Sequence, residues 1–193
     1  MSGKTGLLFG SFNPVHTGHL IIAEYMMQHT GLSEIWFVLS PRNPLKGPEA
    51  LPVQHRLELL RLAVDDEPGF SVCDIELGMH IPSYTADTLE ALSRRFKDTT
   101  FVLLIGSDNL EVFDQWKDYE KLMNKYDIFV YPRPGANAHA FHSHPGIMQV
   151  KAPMLEISST YIRNAIQAGK SVRYMLPEKV WQQIVLKGYY LKK

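Results

Sequence analysis

Short apolar runs, bounded by turn residues, recur along the 193-residue chain. Runs of this kind are typical of strands that lie buried in a protein core. They predict strands at 5–9, 35–39, 70–73, 101–105, 128–131 and 147–150.

Helical patterns lie between these strands. Apolar residues recur there three and four positions apart, as they do along the buried face of an amphipathic helix. Strands that alternate with helices indicate an α/β fold, with a doubly wound, mostly parallel sheet and helices on both faces. The predicted helices cover 18–29, 53–64, 85–96 and 110–125.

The last part of the chain has a different pattern. Two helical segments, 158–168 and 177–186, follow each other with no strand between them. We expect them to pack beside the carboxyl edge of the sheet, as a small C-terminal helical segment at about 157–193. The length and the apolar content predict a single domain that spans 1–193.

Charge and composition exclude several classes of protein. The chain carries 20 Lys plus Arg and 20 Asp plus Glu, so it lacks the positive field that holds a protein on nucleic acid. No apolar run approaches the roughly 20 residues of a membrane span. A single cysteine, Cys73, excludes an internal disulfide, and the chain starts without a leader-like apolar stretch. We therefore expect a cytoplasmic protein with no nucleic-acid or membrane partner.

The strongest chemical signal is FGSFNPVHTGH at 9–19, which follows a strand and opens a helix. Gly10 allows backbone amides close to a phosphate, and the helix start adds a partial positive charge. The three-residue spacing puts the imidazoles of His16 and His19 on one face, where both donate to one anion. An isolated H-x-x-H pair is more often two polar residues at a helix start. A zinc site is disfavoured because no third ligand accompanies the pair.

Two further segments carry groups suited to a nucleotide. Ser158-Ser159-Thr160 precedes a helical pattern, and Arg163 lies one turn in, as in a second phosphate cradle or an ordinary capped helix. Gly106 and Asp108 follow the most apolar strand, where the carboxylate suits sugar hydroxyls or caps the next helix.

A helix start and an aromatic residue supply two further groups suited to a ligand. Ser83-Tyr84-Thr85 precedes an amphipathic helix, so its amides and the Thr85 hydroxyl suit a carboxylate. Trp116 suits stacking on a pyridinium face, because an indole attracts a flat cation. The alternative for Trp116 is a core aromatic.

Two loops, 40–52 and 132–146, are long for a compact domain. Both follow strands, so they border the crevice at the carboxyl edge of the sheet. Lys46 and Arg133 supply one cation from each loop, suited to phosphate charge or to solvent. His139, His142 and His144 lie in the second loop. A metal site there is disfavoured, because an Ala/Pro/Gly loop lacks the supporting contacts that ligating histidines need.

Four motifs, in their order along the chain, resemble those of the nucleotidyltransferases that carry an H-x-G-H sequence. Among these, the chain is most similar to bacterial nicotinate-nucleotide adenylyltransferases, and the resemblance covers nearly the whole chain. The motifs are HTGH at 16–19, PSYTADTL at 82–89, LIGSDNL at 104–110 with Trp116 following, and ISSTYIR at 157–163.

The resemblance implies a Rossmann-like fold and adenylyl transfer from ATP to nicotinate mononucleotide, with deamido-NAD and pyrophosphate as products, in NAD biosynthesis. It implies that Mg²⁺ arrives with ATP, and no metal site on the protein is predicted. Catalytic roles are implied for His16, His19 and Arg163. The implied ATP contacts are Gly10, Ser11, Phe12, His19, Gly106, Asp108, Ile157, Ser158, Ser159 and Arg163, and the implied mononucleotide contacts are Asn13, Lys46, Ser83, Tyr84, Thr85, Trp116 and Arg133.

The sequence departs from the resembled pattern at two places. Relatives commonly have Gly-Gly-Thr-Phe-Asp-Pro, where this chain has FGSFNP at 9–14, so the close phosphate approach rests on Gly10 alone. They often have Pro-Pro-His-Lys, where this chain has NPLK at 43–46.

Other functions stay open at this point. One alternative is an adenylyltransferase for nicotinamide mononucleotide or phosphopantetheine, and Ser83-Tyr84-Thr85 with Trp116 favours the acidic nicotinate ring over these. Another is a non-catalytic adenine-nucleotide sensor, which the intact histidine pair argues against. A class I aminoacyl-tRNA synthetase is disfavoured, because the chain is short, neutral and without a lysine-rich loop. The oligomeric state is left open, and a homo-oligomer is compatible with the sequence.

Overall fold

A six-stranded sheet forms the centre of the computed structural model, which describes residues 3–41, 51–136, 141 and 143–192. Every pair of neighbouring strands is parallel. The strands β1 to β6 are, in chain order, Lys4–Gly10, Leu32–Leu39, Phe70–Cys73, Thr100–Gly106, Asp127–Tyr131 and Ile147–Gln149.

Helices connect the strands and follow the last one. The α-helices α1 to α7 are Thr17–Thr30, Val53–Val64, Thr85–Arg95, Ser107–Leu110, Tyr119–Lys125, Ser159–Gln167 and Glu178–Lys187. Short 3-10 helices lie at Ile75–Gly78, Phe113–Gln115 and Arg173–Met175. No helix in the described part of the chain is long and apolar enough to cross a membrane.

The order of the strands is β3-β2-β1-β4-β5-β6, which reverses direction between β1 and β4. In a sheet of this kind, ligands bind outside the carboxyl ends of the strands at the reversal. The adjacent strands β1 and β4 end at Gly10 and Gly106, so the two glycine-containing motifs meet there. The predicted Rossmann-like, doubly wound fold is confirmed.

Two apolar cores cover the two faces of the sheet. Side chains alternate between them along β1, where Leu8 faces the core with α1, α2, α6 and α7, and Leu7 faces the core with α3 and α5. Both leucines are almost fully buried. Since strands β1 to β5 each contribute to both cores, the sheet is a rigid base for loops at its carboxyl edge.

The predicted helix at 110–125 is wrong over most of its length. In its place, α4, a 3-10 turn and α5 follow each other, and only α5 lies within the last part of the predicted range. Trp116 has an extended backbone, and Asp118 is left-handed with φ of 54°. A left-handed residue ends an α-helix, so the apolar spacing here belongs to three short elements that share one core.

The last two helices lie in different places. The start of α6 is at the carboxyl edge of the sheet, as predicted, where the hydroxyl of Ser159 donates to the carbonyl of Pro14 at 2.8 Å. In contrast, α7 packs on α2, with Gln183 donating to Glu58 at 2.6 Å. Both helices share the core of the sheet, while the single-domain boundary at 1–193 stays a prediction.

Candidate active site

The two motif histidines lie together where β1 leads into α1. His16 precedes the first residue of α1, and its backbone N–H donates to Nδ1 of His19 at 3.2 Å. The backbone N–H of His19 donates to the carbonyl of His16 at 2.9 Å, and the ring centroids are 3.7 Å apart. Because Nδ1 of His19 accepts a hydrogen bond, this ring carries its proton on Nε2.

His16 is buried and neutral. Its side chain is 4% exposed, and its Nδ1 has no hydrogen-bond partner among the described residues. Burial lowers the pKa of His16 to about 3, and the positive charge of Arg133 contributes to that fall. At neutral pH the ring therefore offers one N–H donor and no positive charge.

Two glycines make room for aromatic rings in this loop. A Cβ on Gly18 would lie 3.0 Å from Nδ1 of His16, so the motif glycine allows the imidazole to lie over the start of α1. A Cβ on Gly10 would lie 3.0 Å from the ring of Phe12, a buried residue with φ of 43°. The sequence predicts that Gly10 lets a phosphate approach the backbone. In the structure, Gly10 also leaves room for the Phe12 ring to pack against it.

The start of α6 is bound to the same loop. Arg163 donates through Nη1 to the carbonyl of Asn13 at 2.7 Å, next to the bond from Ser159 to Pro14. Ser158 is the N-cap of α6, since its hydroxyl accepts from the backbone N–H of Tyr161 at 3.1 Å. Ser158 is therefore an ordinary helix cap. Ser159 and Arg163 lie against the loop at 11–16, which ends at His16 and is called the histidine loop below.

A small pocket opens between the start of α1 and the end of β5. His16, His19, Tyr131, Arg133 and Ile157 are among the residues that line it. Burial raises the pKa of Tyr131 to about 12, so its hydroxyl stays protonated. Tyr131 was not predicted as a site residue, although its place at the end of a predicted strand was an available signal.

Arg133 and Asp108 face each other across the ends of β4 and β5. The guanidinium Nε of Arg133 lies 3.7 Å from the Asp108 carboxylate, and its backbone N–H donates to Ser107 Oγ at 2.8 Å. A Cβ on Gly106 would lie 2.3 Å from Oδ1 of Asp108 and 2.7 Å from Cγ of Arg133, so any larger residue there would displace these two side chains. Gly106, not Asp108, is the N-cap residue of α4, and Asp108 lies within the first turn of that helix.

The hydroxyl of Ser83 is already used inside the protein. It donates at 2.6 Å to Glu76, a buried residue whose other oxygen pairs with Thr88 at 2.8 Å. Burial raises the pKa of the Glu76 carboxyl, and hydrogen bonds from Ser83, Thr88 and Ser40 oppose that rise. In this structure, the Ser83 side chain therefore fixes the approach to α3 rather than pointing at a ligand.

The segment around Trp116 runs beside the start of α3. Lys117 pairs with Asp87 at 2.8 Å and lies 5.1 Å from the ring centroid of Tyr84. Tyr84 precedes α3 without a side-chain cap, and Thr85 begins the helix. The Trp116 ring packs on Phe113 with centroids 5.1 Å apart, so it is a partly buried aromatic next to the predicted ring site.

Arg56 is a site-supporting residue that the sequence did not reveal. It is 1% exposed and donates to the carbonyls of Ser11 at 2.6 Å, Ser40 at 2.9 Å and Pro41 at 2.7 Å. The backbone N–H of Ser40 in turn donates to the carbonyl of Gly10 at 2.9 Å. Arg56 therefore joins the ends of β1 and β2, and its position on the buried face of α2 was the available signal.

Some predicted residues lie outside the described parts of the chain. These are Lys46, His139 and His142. His144 is described, and its Nδ1 accepts from the backbone N–H of Gly146 at 3.2 Å. Its ring therefore stabilises a turn.

Comparison with known proteins gives matches over nearly the whole chain. The family described as cytidylyltransferase-like matches residues 7–165. A probable nicotinate-nucleotide adenylyltransferase of Cytophaga hutchinsonii is 43% identical over 188 residues, which cover 97% of this chain and 98% of that one. Another from Porphyromonas gingivalis is 45% identical over 183 residues, with 94% and 93% covered.

Solved structures confirm the fold independently. The nicotinic acid mononucleotide adenylyltransferase of Plasmodium falciparum complexed with NaAD has a TM-score of 0.82 at 18% identity, with 97% of each chain covered. The fold and the match to the cytidylyltransferase-like family define an α/β nucleotidyltransferase. Within that class, the chain belongs to the nicotinate-nucleotide adenylyltransferases of the cytidylyltransferase-like family.

Proposed function

We propose that the chain transfers the adenylyl group of ATP to nicotinate mononucleotide, forming deamido-NAD and pyrophosphate in NAD biosynthesis. One observation supports this most directly: the histidine pair, Ser159 and Arg163 converge on one loop at the reversal of the sheet. The relatives at 43% and 45% identity carry the same activity in their names.

In the proposed reaction, a phosphate oxygen of the mononucleotide attacks the α-phosphorus of magnesium-bound ATP in line. The new P–O bond forms as the bond from the α-phosphorus to the bridging oxygen breaks, and pyrophosphate leaves with that electron pair. No enzyme nucleophile takes part, so positioning and electrostatic stabilisation account for the rate.

His16 and His19 are the proposed donors to the oxygens of the α-phosphate. Negative charge shifts among these oxygens in the transition state, and donors fixed in advance stabilise it without reorganisation. The low pKa of His16, about 3, suits a neutral donor. No general base is needed for the nucleophile, because a phosphate monoester, with a second pKa of about 6, is already largely ionised at neutral pH.

Ser159 and Arg163 are the proposed ligands of the departing phosphates, together with the first amides of α6. Arg163 uses Nη1 for the carbonyl of Asn13 and has further N–H groups for an anion. Gly10, Ser11, Phe12, Ile157 and Ser158 complete the proposed ATP contacts, with Gly106 and Asp108 on the adenosine side.

The mononucleotide is assigned to the other half of the crevice. The amides at Tyr84 and Thr85 suit its ring carboxylate, Trp116 suits its ring, and Arg133 suits its phosphate. The buried bond from Ser83 to Glu76 supports this indirectly, since it holds the approach to α3 in one conformation. Lys46 remains a proposed phosphate ligand from the sequence alone, and the cytoplasm remains the proposed compartment.

Pyrophosphate release tests the proposal when nicotinate mononucleotide, nicotinamide mononucleotide and phosphopantetheine are offered separately with magnesium-bound ATP. We expect fast release with the first acceptor only. Release with another acceptor keeps the adenylyl transfer and contradicts the ring site. ATP binding without release for any acceptor supports a nucleotide sensor instead.

A further inference from the structure

Tyr190 lies far from the active-site loop in sequence and touches it in space. Its hydroxyl donates to Oδ1 of Asn13 at 2.8 Å, across 177 positions of the chain. Tyr190 is 8% exposed and Asn13 is 2% exposed. We propose that Tyr190 is a positioning residue for adenylyl transfer, which acts through Asn13 on Arg163; this rests on the proposed function.

The backbone of Tyr190 indicates a specific requirement for this contact. Its φ is 66°, in the left-handed region that a bulky L-residue rarely adopts. Such a conformation persists only where surrounding contacts over-determine it. The hydrogen bond to Asn13 and the burial of the ring are among the contacts that hold it.

Asn13 joins Tyr190 to the proposed phosphate ligands. Its side chain accepts from Tyr190, and its carbonyl accepts from Nη1 of Arg163 at 2.7 Å. The next carbonyl, of Pro14, accepts from Ser159 at 2.8 Å. One rigid peptide segment therefore fixes the position of both phosphate ligands relative to the histidine pair, and Tyr190 holds that segment from the opposite side.

Asn13 has a contact that the sequence did not predict. The mononucleotide contact expected for this residue stays a prediction, and its side-chain amide is buried against Tyr190. When the hydroxyl is removed, the buried Oδ1 loses this donor and the amide gains freedom to turn. The carbonyl that Arg163 uses then loses its fixed position, and catalysis falls more than substrate binding does.

The neighbouring tyrosine provides a matched control. The hydroxyl of Tyr189 is 2.8 Å from Nδ1 of His55, in an exposed contact outside the active site. Y190F and Y189F each remove one phenolic hydroxyl from adjacent positions. For Y190F we expect kcat to fall about tenfold, as for the loss of one positioning contact, with KM for both substrates within about threefold. We expect Y189F to keep kcat within about twofold.

A double-mutant cycle separates positioning from general stability. All rates are measured well below the unfolding temperature of each variant. If Tyr190 acts through Asn13, Y190F lowers kcat in the wild-type background and has little further effect in N13A. Equal kcat for Y190F and the wild type, equal losses in Y190F and Y189F, or additive losses with N13A would overturn the proposal. An inactive wild type would instead count against the proposed function.

Discussion

The motif glycine of α1 gives a prediction in which activity and stability separate. Gly18 lies in the first turn of α1, and a Cβ there would be 3.0 Å from Nδ1 and 3.1 Å from Cε1 of His16. Ordinary contacts begin at about 3.4 Å. In G18A, the imidazole of His16 must therefore move by about 0.4 Å or more.

The expected loss follows from that displacement. A misplacement of about 1 Å costs on the order of a hundredfold in rate, so about 0.4 Å corresponds to a fivefold to tenfold fall in kcat. Stability should change little. Alanine favours a helix over glycine by up to about 1 kcal/mol, which offsets the cost of the tight contact.

The assay compares G18A with G78A. A Cβ on Gly78 would meet no atom of the described residues within 4 Å, and its φ is not left-handed, so alanine fits there without displacement. Initial rates of pyrophosphate release and denaturant unfolding are measured on both variants and the wild type. Full activity in G18A would show that a displaced His16 imidazole does not slow the reaction. A fall of more than about 2 kcal/mol in the free energy of unfolding would show that the substitution acts through folding.

Three further predictions concern buried polar groups. His16 has a pKa of about 3 in the folded protein against an ordinary 6.5, so the unfolded state gains a proton first and the folded state loses stability as pH falls from 6.5 towards 3. The free energy of unfolding should therefore fall more steeply over this range for the wild type than for H16N. Parallel plots of unfolding free energy against pH would contradict this. Burial raises the pKa of Glu76, so the free energy of unfolding of the wild type should fall relative to that of E76Q as pH rises above 4.5. A constant difference between the two proteins across this pH range would contradict this. R56K should lower the free energy of unfolding, measured with denaturant, by about 3 kcal/mol or more, because lysine cannot reach the same carbonyls. A loss below about 1 kcal/mol would contradict this.

Local patterns predicted the scaffold well. The strand at 70–73 and the helix at 53–64 have the predicted bounds, because apolar periodicity and flanking turn residues act over a few positions. The order of the motifs also placed the histidine loop and the start of α6 at one edge of the sheet. Consecutive βα units bring the carboxyl ends of parallel strands together, so sequence order carries this information.

Long-range contacts were beyond prediction. Tyr190 and Asn13 are 177 positions apart, and the bonds from Arg56 to Ser11 and Ser40 depend on how α2 packs under the sheet edge. No periodicity or spacing encodes such pairs. The break at Asp118 was missed for a different reason, since a left-handed aspartate leaves the apolar spacing of the surrounding segment intact.

The most direct test of the central claim is the rate of deamido-NAD formation by the wild type and H16A with saturating ATP and nicotinate mononucleotide. We predict rapid product formation by the wild type and a fall of about a hundredfold or more in H16A, with ATP affinity little changed, because a preorganised donor to the transition state is lost. Equal rates for the two proteins would contradict the role of His16. No deamido-NAD from the wild type would contradict the proposed reaction.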